Sequence, residues 1–335
     1  MSLLQIQRTQ IERLTHVSRA LGVEVWCKRD DQTHVAYGGN KPRKLAGILA
    51  DALHVGATDV LTSGTIGSHH VLATAIHGKR AGLRVHAVVA PQSFTEHALQ
   101  VAYQAQTEGV QYTRVPDKLL LPFATQWVRA RLLLRGVKPF VIALGGSSVA
   151  GCAGYFQAFY ELLEQIDAGA MDGQRPDLIV CPHGSGGTHA GILAAVRELG
   201  LSGQLKVVGV QVAAPWSLPR VRASLMAERV RARQTGRRPS LHSSLNLQDV
   251  YCTNDFFAGG YGVASADGDR ATALFAQDQI ELDPTYTAKT AAAIAAVARA
   301  HNAKRVLYWH TLSSVALPRV EQCASLRPEL RAMLR

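Results

Sequence analysis

Leu178–Gly191 reads LIVCPHGSGGTHAG. The apolar run Leu178–Cys181 predicts a short buried strand. Gly184, Ser185, Gly186, Gly187 and Thr188 then turn the chain into a helix predicted over His189–Leu199. Successive amides in such a loop form a nest, and the helix N-terminus adds positive potential, so the loop suits a phosphate. His189 stands where a dinucleotide fingerprint has its third glycine, and no GxxxxGK[ST] stretch occurs. What remains is a strand–loop–helix unit built for a small phosphorylated ligand.

The same alternation extends in both directions. Upstream, strands are expected at Asp59–Thr62, Leu83–Ala90, Gln111–Val115 and Phe140–Leu144. Helices are expected near His69–Ala81, Glu96–Gln106 and Pro122–Arg135, and from Gly145-Gly146 to Ile166. Downstream, Leu205–Val212 and Val306–Trp309 read as further buried strands. Alternation of this kind predicts an α/β fold, a parallel sheet with helices on both faces. The chain has 335 residues, more than one ordinary core accommodates, so two units are expected. Ala168–Pro176 and Gly236–Asn246 are expected as linkers or long loops.

Composition narrows the function. Hydrophobic residues are 47% and charged residues 18%, as in ordinary globular proteins. No apolar run is long enough for a membrane helix, and MSLLQIQRTQIERL lacks a basic-then-apolar leader, so no membrane association and a cytoplasmic location are expected. The five cysteines are odd in number, scattered and without a CxxC pair, against a disulfide framework or a structural zinc site. The net charge of +11 raises nucleic acid as a partner. The arginines concentrate in Pro219–Pro239, at positions 220, 222, 229, 231, 233, 237 and 238. That stretch has no aromatic residue for base stacking, so a solvated surface helix and loop is expected, with no nucleic-acid binding.

Several short motifs carry chemistry. In GGNKPRKLA (Gly38–Ala46), two glycines and Asn40 make a turn, and Pro42 suits a helix start. Lys41 therefore sits at a loop-to-helix junction, where desolvation can free its amine for a Schiff base. Lys44 lies one turn further and can meet a phosphate. SGTIGSHHVLATA (Ser63–Ala75) presents Ser68, His69 and His70 at a helix start. Ser68 suits an N-cap or a carboxylate-binding loop with a reactive hydroxyl. Adjacent histidines on a helix cannot share one metal, so no metal is expected there. AGGYGVASADG (Ala258–Gly268) and ELDPTYTAK (Glu281–Lys289) each place a tyrosine, Tyr261 or Tyr286, in a turn. YWHTLSS (Tyr308–Ser314) ends a strand in His310-Thr311. No GxSxG elbow occurs, which argues against a serine hydrolase.

Taken in order, from about Leu14 to about Pro318, these segments resemble the D-cysteine desulfhydrase and 1-aminocyclopropane-1-carboxylate (ACC) deaminase family. That family belongs to the tryptophan-synthase-β-like, fold type II enzymes that use pyridoxal 5′-phosphate. The resemblance implies two open twisted, mostly parallel sheets flanked by helices. It implies a small domain, residues 50–157, inserted into a large one, residues 1–49 and 158–335. It further implies that Lys41 holds the cofactor as a Schiff base and that Asn40 lies beside it. Lys44 and the loop Ser185, Gly186, Gly187 and Thr188 would hold the phosphate, and His69 would lie near the ring. Ser68, His69 and His70 would form the substrate-carboxylate loop, with Ser68 the reactive hydroxyl. Tyr261 and Tyr286 would carry protons, and Thr311 would face the pyridine nitrogen. A neutral hydroxyl there favours elimination, because less charge collects in the ring.

Within the family, ring-opening deaminases typically carry glutamate after the second tyrosine and leucine after the late histidine. Here Thr287 and Thr311 stand there, the desulfhydrase pattern. The expected activity is α,β-elimination from a small amino acid such as D-cysteine, giving pyruvate, sulfide and ammonia, in a homodimer. ACC ring opening, β-replacement and racemisation are the alternatives. Two positions depart from the pattern: His69 replaces the usual asparagine, and Leu312-Ser313 replace two glycines, which adds bulk near the ring.

Overall fold

In the computed structural model, residues 3–213 and 218–335 are described. The chain runs β1 (Ile11–Arg13), α1 (Thr15–Leu21), β2 (Glu24–Lys28), α2 (Asn40–His54), β3 (Asp59–Thr65), α3 (His69–Arg80), β4 (Arg84–Ala90), α4 (Glu96–Thr107), β5 (Gln111–Arg114), α5 (Leu121–Leu134), β6 (Pro139–Val141) and α6 (Val149–Asp167). It continues with β7 (Leu178–His183), α7 (Gly187–Glu198), β8 (Lys206–Gln211), α8 (Pro219–Thr235), α9 (Leu241–Leu245), β9 (Tyr251–Thr253), α10 (Ala266–Ala276), α11 (Thr287–Ala300), β10 (Arg305–Trp309) and α12 (Pro328–Arg331). These strands form two sheets. One has the order β1-β2-β10-β7-β8-β9 and the other β5-β4-β3-β6. Every pairing is parallel except β1 with β2.

A strand points alternate side chains to opposite faces, and both faces of the six-stranded sheet are covered. Leu178, Val180, Val306 and Tyr308 pack under α10 and α11. Ile179, Cys181, Leu307 and Trp309 pack on the other side under α6, α7 and α8. The four-stranded sheet does the same. Val60, Val85, Ala87 and Val89 face α2, α3 and α4, while Leu61, Val88 and Ala90 face α5. Buried strands with both faces covered read as continuous apolar runs, which is why LIVC and LRVHAVVA are visible in the sequence.

Several boundaries differ from the sequence reading. The first helix of the lysine motif begins at Asn40, so Pro42 is its third residue. A proline tolerates any of the first helical positions, because those amides have no partner within the helix. The strand expected to reach Leu144 ends at Val141 and is followed by a 3-10 turn with Gly145 and Gly146 at positive φ. Of the two expected linkers, Ala168–Pro176 contains a short 3-10 turn at Ala170–Gly173, and Gly236–Asn246 contains α9. Residues near the C-terminus return to the smaller sheet. Cys323, Leu326, Leu330 and Met333 join its core, and Leu334 bridges to Gln92.

A buried ion cluster ties α2 to the larger sheet. Asp30 accepts hydrogen bonds from Arg43 Nε and Nη2, Thr9 Oγ1, Tyr155 OH and Trp309 Nε1. Glu161 accepts from Arg43 and from Lys28, whose Nζ also donates to Thr9 O and Gln165. Arg43 is on the same helix as Lys41 and Lys44, turned away from them. The cluster therefore fixes the rotation of α2.

Candidate active site

The pocket lies outside the carboxyl ends of parallel strands, where open α/β sheets bind ligands. It is a cavity of about 520 Å³ with walls from β3 and β7 and from the segments that follow β3, β7 and β10. Lys41, at the start of α2, enters it behind two glycines whose lack of a side chain the packing requires. A Cβ on Gly38 would lie 2.0 Å from Asp31 O, and one on Gly39 would lie 2.6 Å from Thr311 O. The Asn40 amide donates to Thr311 O, and the Gly38 amide to Ser313 Oγ. The serine that replaces a glycine of the family pattern thus ties down the lysine loop, while Leu312 lines the pocket.

Lys41 Nζ donates to Asn40 Oδ1 at 2.5 Å, and Asn40 Nδ2 donates to Thr188 Oγ1 at 3.1 Å. Burial lowers the Lys41 pKa to about 7, with the nearby Lys44 charge adding to the effect and Asp283 opposing it. Near neutral pH a large share of this amine is unprotonated and nucleophilic. Three residues along the helix, Lys44 points into the same pocket and lies against the glycine loop. A Cβ on Gly187 would meet its Nζ at 3.0 Å and Ser147 Oγ at 2.4 Å. Ser147 and Ser185 share a hydrogen bond of 2.7 Å. Gly186 has φ +83°, which turns the loop into α7. The amides at the start of α7, the Lys44 ammonium and three hydroxyls therefore converge on one small volume.

The opposite wall is the start of α3. Ser68 caps this helix by accepting from the His70 amide, which leaves its own hydroxyl proton free to donate. The adjacent histidines diverge. His69 meets Tyr37 OH at 2.5 Å through Nδ1 and His97 Nε2 at 2.8 Å through Nε2. His70 Nε2 meets Thr62 Oγ1 at 2.9 Å. Burial pushes both pKa values down to about 3, so both rings are neutral.

The third wall carries the tyrosines. Tyr261 OH and Tyr286 OH are 2.6 Å apart, and Lys41 Nζ lies 6.0 Å from the Tyr286 ring centre. Burial raises both phenol pKa values, so both stay protonated. Asp283 holds this wall: its carboxylate accepts from the Thr285, Tyr286 and Thr287 amides and from Thr287 Oγ1. Thr287 is fully buried in that cap, whereas Thr311 lines the pocket. The residues given site roles from the sequence (Asn40, Lys41, Lys44, Ser68, His69, His70, Ser185, Gly186, Gly187, Thr188, Tyr261, Tyr286 and Thr311) all line this one cavity.

The comparisons with known proteins agree with this geometry. The family described as pyridoxal-phosphate dependent enzyme matches residues 3–311. The chain belongs to that family. D-cysteine desulfhydrase of Klebsiella pneumoniae (strain 342) is 34% identical over 299 residues, which cover 85% of this chain and 84% of that protein. D-cysteine desulfhydrase of Serratia proteamaculans (strain 568) is 32% identical over 331 residues, 92% of each. Among solved structures, an ACC deaminase homologue superposes with a TM-score of 0.80 at 27% identity, over 97% of this chain and 95% of that one. The chain is a pyridoxal-phosphate-dependent lyase.

Sequence reading missed several residues in and around this enzyme's pocket. Tyr37 immediately precedes the lysine motif and Asp283 lies inside ELDPTYTAK, but nothing in their spacing shows their partners. Ser147 precedes α6 and reaches the glycine loop only through the fold. Lys118 lies between β5 and α5, with its Nζ 5.2 Å from the Tyr261 ring centre. Arg222 comes from the arginine-rich segment and also lines the pocket. That segment is helical as expected, but it is not simply solvated. Arg220 donates to Val250 O and Leu247 O, and Arg231 pairs with Glu198 and Glu228. The comparisons give a nucleic-acid role no support, and no helix among the described residues is long and apolar enough to cross a membrane.

Proposed function

We propose that the enzyme catalyses α,β-elimination from D-cysteine or a closely similar small amino acid, releasing sulfide, ammonia and pyruvate. The observation that carries this is the hydrogen-bonded Tyr261–Tyr286 pair, which faces a desolvated Lys41, about half neutral at pH 7, in a cavity sized for the cofactor and a small substrate. The similarity to D-cysteine desulfhydrases along most of the chain supports the choice of substrate. Thr287 and Thr311 at the two discriminating positions support elimination over ring opening.

The pocket fits pyridoxal phosphate. Lys44, the Ser185 and Thr188 hydroxyls and the amides at the start of α7 converge beside a nucleophilic lysine in a cavity of about 520 Å³. Lys41 Nζ would hold the cofactor covalently. Lys44, Ser185, Thr188 and the amides of Gly186 and Gly187 would hold its phosphate. Thr311 would face the ring nitrogen, and His69 and Asn40 would lie beside the ring. When bound, the cofactor supplies an electron sink for negative charge at the substrate Cα. The α3 N-terminus and the Ser68 hydroxyl receive the substrate carboxylate, and His70, held by Thr62, keeps that wall in place. Lys41 Nζ, with its lowered pKa, takes the Cα proton. The Tyr286 hydroxyl delivers a proton to the departing sulfur and is replenished through Tyr261. The division into residues 50–157 and the rest, with the cofactor between them, and assembly as a homodimer belong to the same reading.

Incubating the cofactor-loaded enzyme with D-cysteine, L-cysteine, D-serine and ACC tests the substrate. Equal amounts of sulfide and pyruvate from D-cysteine are expected. Turnover of ACC alone, or racemisation without sulfide release, would replace this reading. Tyr286→Phe should keep the cofactor and lower kcat by about 10²-fold or more, the usual worth of a general acid or base. An unchanged kcat would remove that hydroxyl from the proton path. Cofactor capture by the cofactor-free protein should depend on pH through Lys41. Its rate should reach half its maximum near pH 7, where the amine is half neutral, and level off about one to two pH units higher. An ordinary lysine, with a pKa of about 10.4, would give a rate still rising above pH 9.

A further inference from the structure

Among the described residues, one cluster outside the pocket brings three metal-ligand donors together: His183, His189 and Cys252. They come from three separate elements. His183 ends β7, His189 is in the first turn of α7, and Cys252 is the middle residue of β9. The register of the sheet explains the meeting. Gly209 on β8 pairs with Cys181 on one side and with Cys252 on the other, and His183 lies two residues beyond Cys181 on the same face. Gly209 carries no side chain, and any Cβ there would lie 2.6 Å from His189 Nδ1 and 2.9 Å from His183 Nδ1. The glycine lets both imidazoles lie against the strand with their Nδ1 atoms converging.

We propose that His183 Nδ1, His189 Nδ1 and Cys252 Sγ form a binding site for one zinc-class transition ion beneath the glycine loop. The two nitrogens are 3.0 Å apart, and Cys252 Sγ is 3.9 Å from His189 Nδ1. All three donor atoms lie within 4.8 Å of one another. Zinc at about 2.0–2.1 Å from nitrogen and about 2.3 Å from sulfur spaces tetrahedral donors about 3.3–3.6 Å apart. Binding therefore needs a movement of about 1 Å, chiefly by Cys252. Cys252 is on a three-residue strand at the edge of the sheet, where one side has no strand to resist that shift.

The donor chemistry suits a borderline or soft cation. The 3.0 Å contact between the two Nδ1 atoms requires one of them to carry a proton, and binding an ion moves that proton to the same ring's Nε2. Burial pushes the Cys252 thiol up to about 12, and a bound cation supplies the charge that makes it a thiolate. The remaining four cysteines are buried, whereas Cys252 is half-buried, which gives an ion a way in. An ion here would also brace the glycine loop, because the His183 ring lies under Gly186, whose Cβ would meet it at 2.9 Å.

Cobalt(II) is the probe, titrated into metal-stripped, cofactor-loaded enzyme. One equivalent per chain should bind with intense visible d–d bands and a thiolate-to-cobalt charge-transfer band, and zinc should displace it. Cys252→Ser, judged folded by its retained cofactor absorbance, should lose the charge-transfer band and weaken binding by at least about 100-fold. In the unaltered enzyme, zinc should also protect Cys252 from maleimide labelling and raise the unfolding temperature. These two readouts stand even if the variant fails to fold. Absence of a saturable equivalent, or a charge-transfer band that survives in Cys252→Ser, overturns the proposal.

Discussion

Lys41→Ala should abolish covalent cofactor binding and lower kcat/KM by about 10⁴-fold or more, because one group serves as both anchor and base. The reason lies in position. Lys41 follows two glycines that no other residue could replace, given Cβ approaches of 2.0 and 2.6 Å to backbone oxygens. Its amine is desolvated within the pocket beside Lys44, which keeps much of it neutral near pH 7. Lys44 is the internal contrast. It shares that helix face but lies against Gly187, so Lys44→Ala should keep the visible absorbance of the bound cofactor. Its loss should weaken cofactor affinity by the worth of one charge-assisted hydrogen bond, about 1.5–3 kcal/mol. If Lys41→Ala keeps both the absorbance and turnover, another lysine is the anchor.

Asp30→Asn should destabilise the protein by about 3–5 kcal/mol, the usual cost of breaking a buried ion pair from one side. The substitution conserves volume, so it isolates charge and hydrogen bonding. Arg43 reaches both Asp30 oxygens, so an amide nitrogen at either position would face a guanidinium N–H that cannot accept, with only the Thr9 or Tyr155 hydroxyl able to turn toward it. Burial alone would raise the Asp30 pKa, but Arg43, Lys28 and Trp309 together bring it below the ordinary value. A carboxylate lowered in the folded state contributes fully above its unfolded pKa of about 3.9 and loses that contribution as pH falls through its lower folded value. The penalty of Asp30→Asn should therefore be constant from neutral pH to about pH 4 and shrink below it. The exposed Arg8–Glu164 pair gives the control: Glu164→Gln should change stability by less than about 1 kcal/mol. Urea unfolding of both variants, monitored across pH, checks these values. A small Asp30→Asn effect would mean that Glu161 alone suffices for Arg43.

How much was legible in the sequence follows from what is local. Buried parallel strands announce themselves as apolar runs, so β3, β4, β7, β8 and β10 were visible. Lysines three apart on a helix share a face, and glycine-rich turns precede helices, so Lys41, Lys44 and the Ser185–Thr188 loop could be read directly. Elements without contrast were missed. β1 and β9 are three residues long, and α11 (TAKTAAAIAAVARA) spreads alanine over both faces. Residues whose role depends on a distant partner were also missed. Ser147 meets Ser185 across 38 positions, and Arg222 reaches the pocket from a helix whose composition suggested only a charged surface. The cysteine pattern argued against a metal because its spacing was wrong for one segment, whereas the donors His183, His189 and Cys252 come from three.

The most direct measurement is borohydride reduction of the cofactor-loaded enzyme followed by peptide mapping. The account predicts a stable phosphopyridoxyl group on one residue, Lys41, in the peptide that follows Gly38-Gly39-Asn40. It also predicts that prior addition of D-cysteine diminishes this label, because the substrate amine displaces the lysine. A label on Lys44, Lys118 or any other lysine, or none at all, would contradict it.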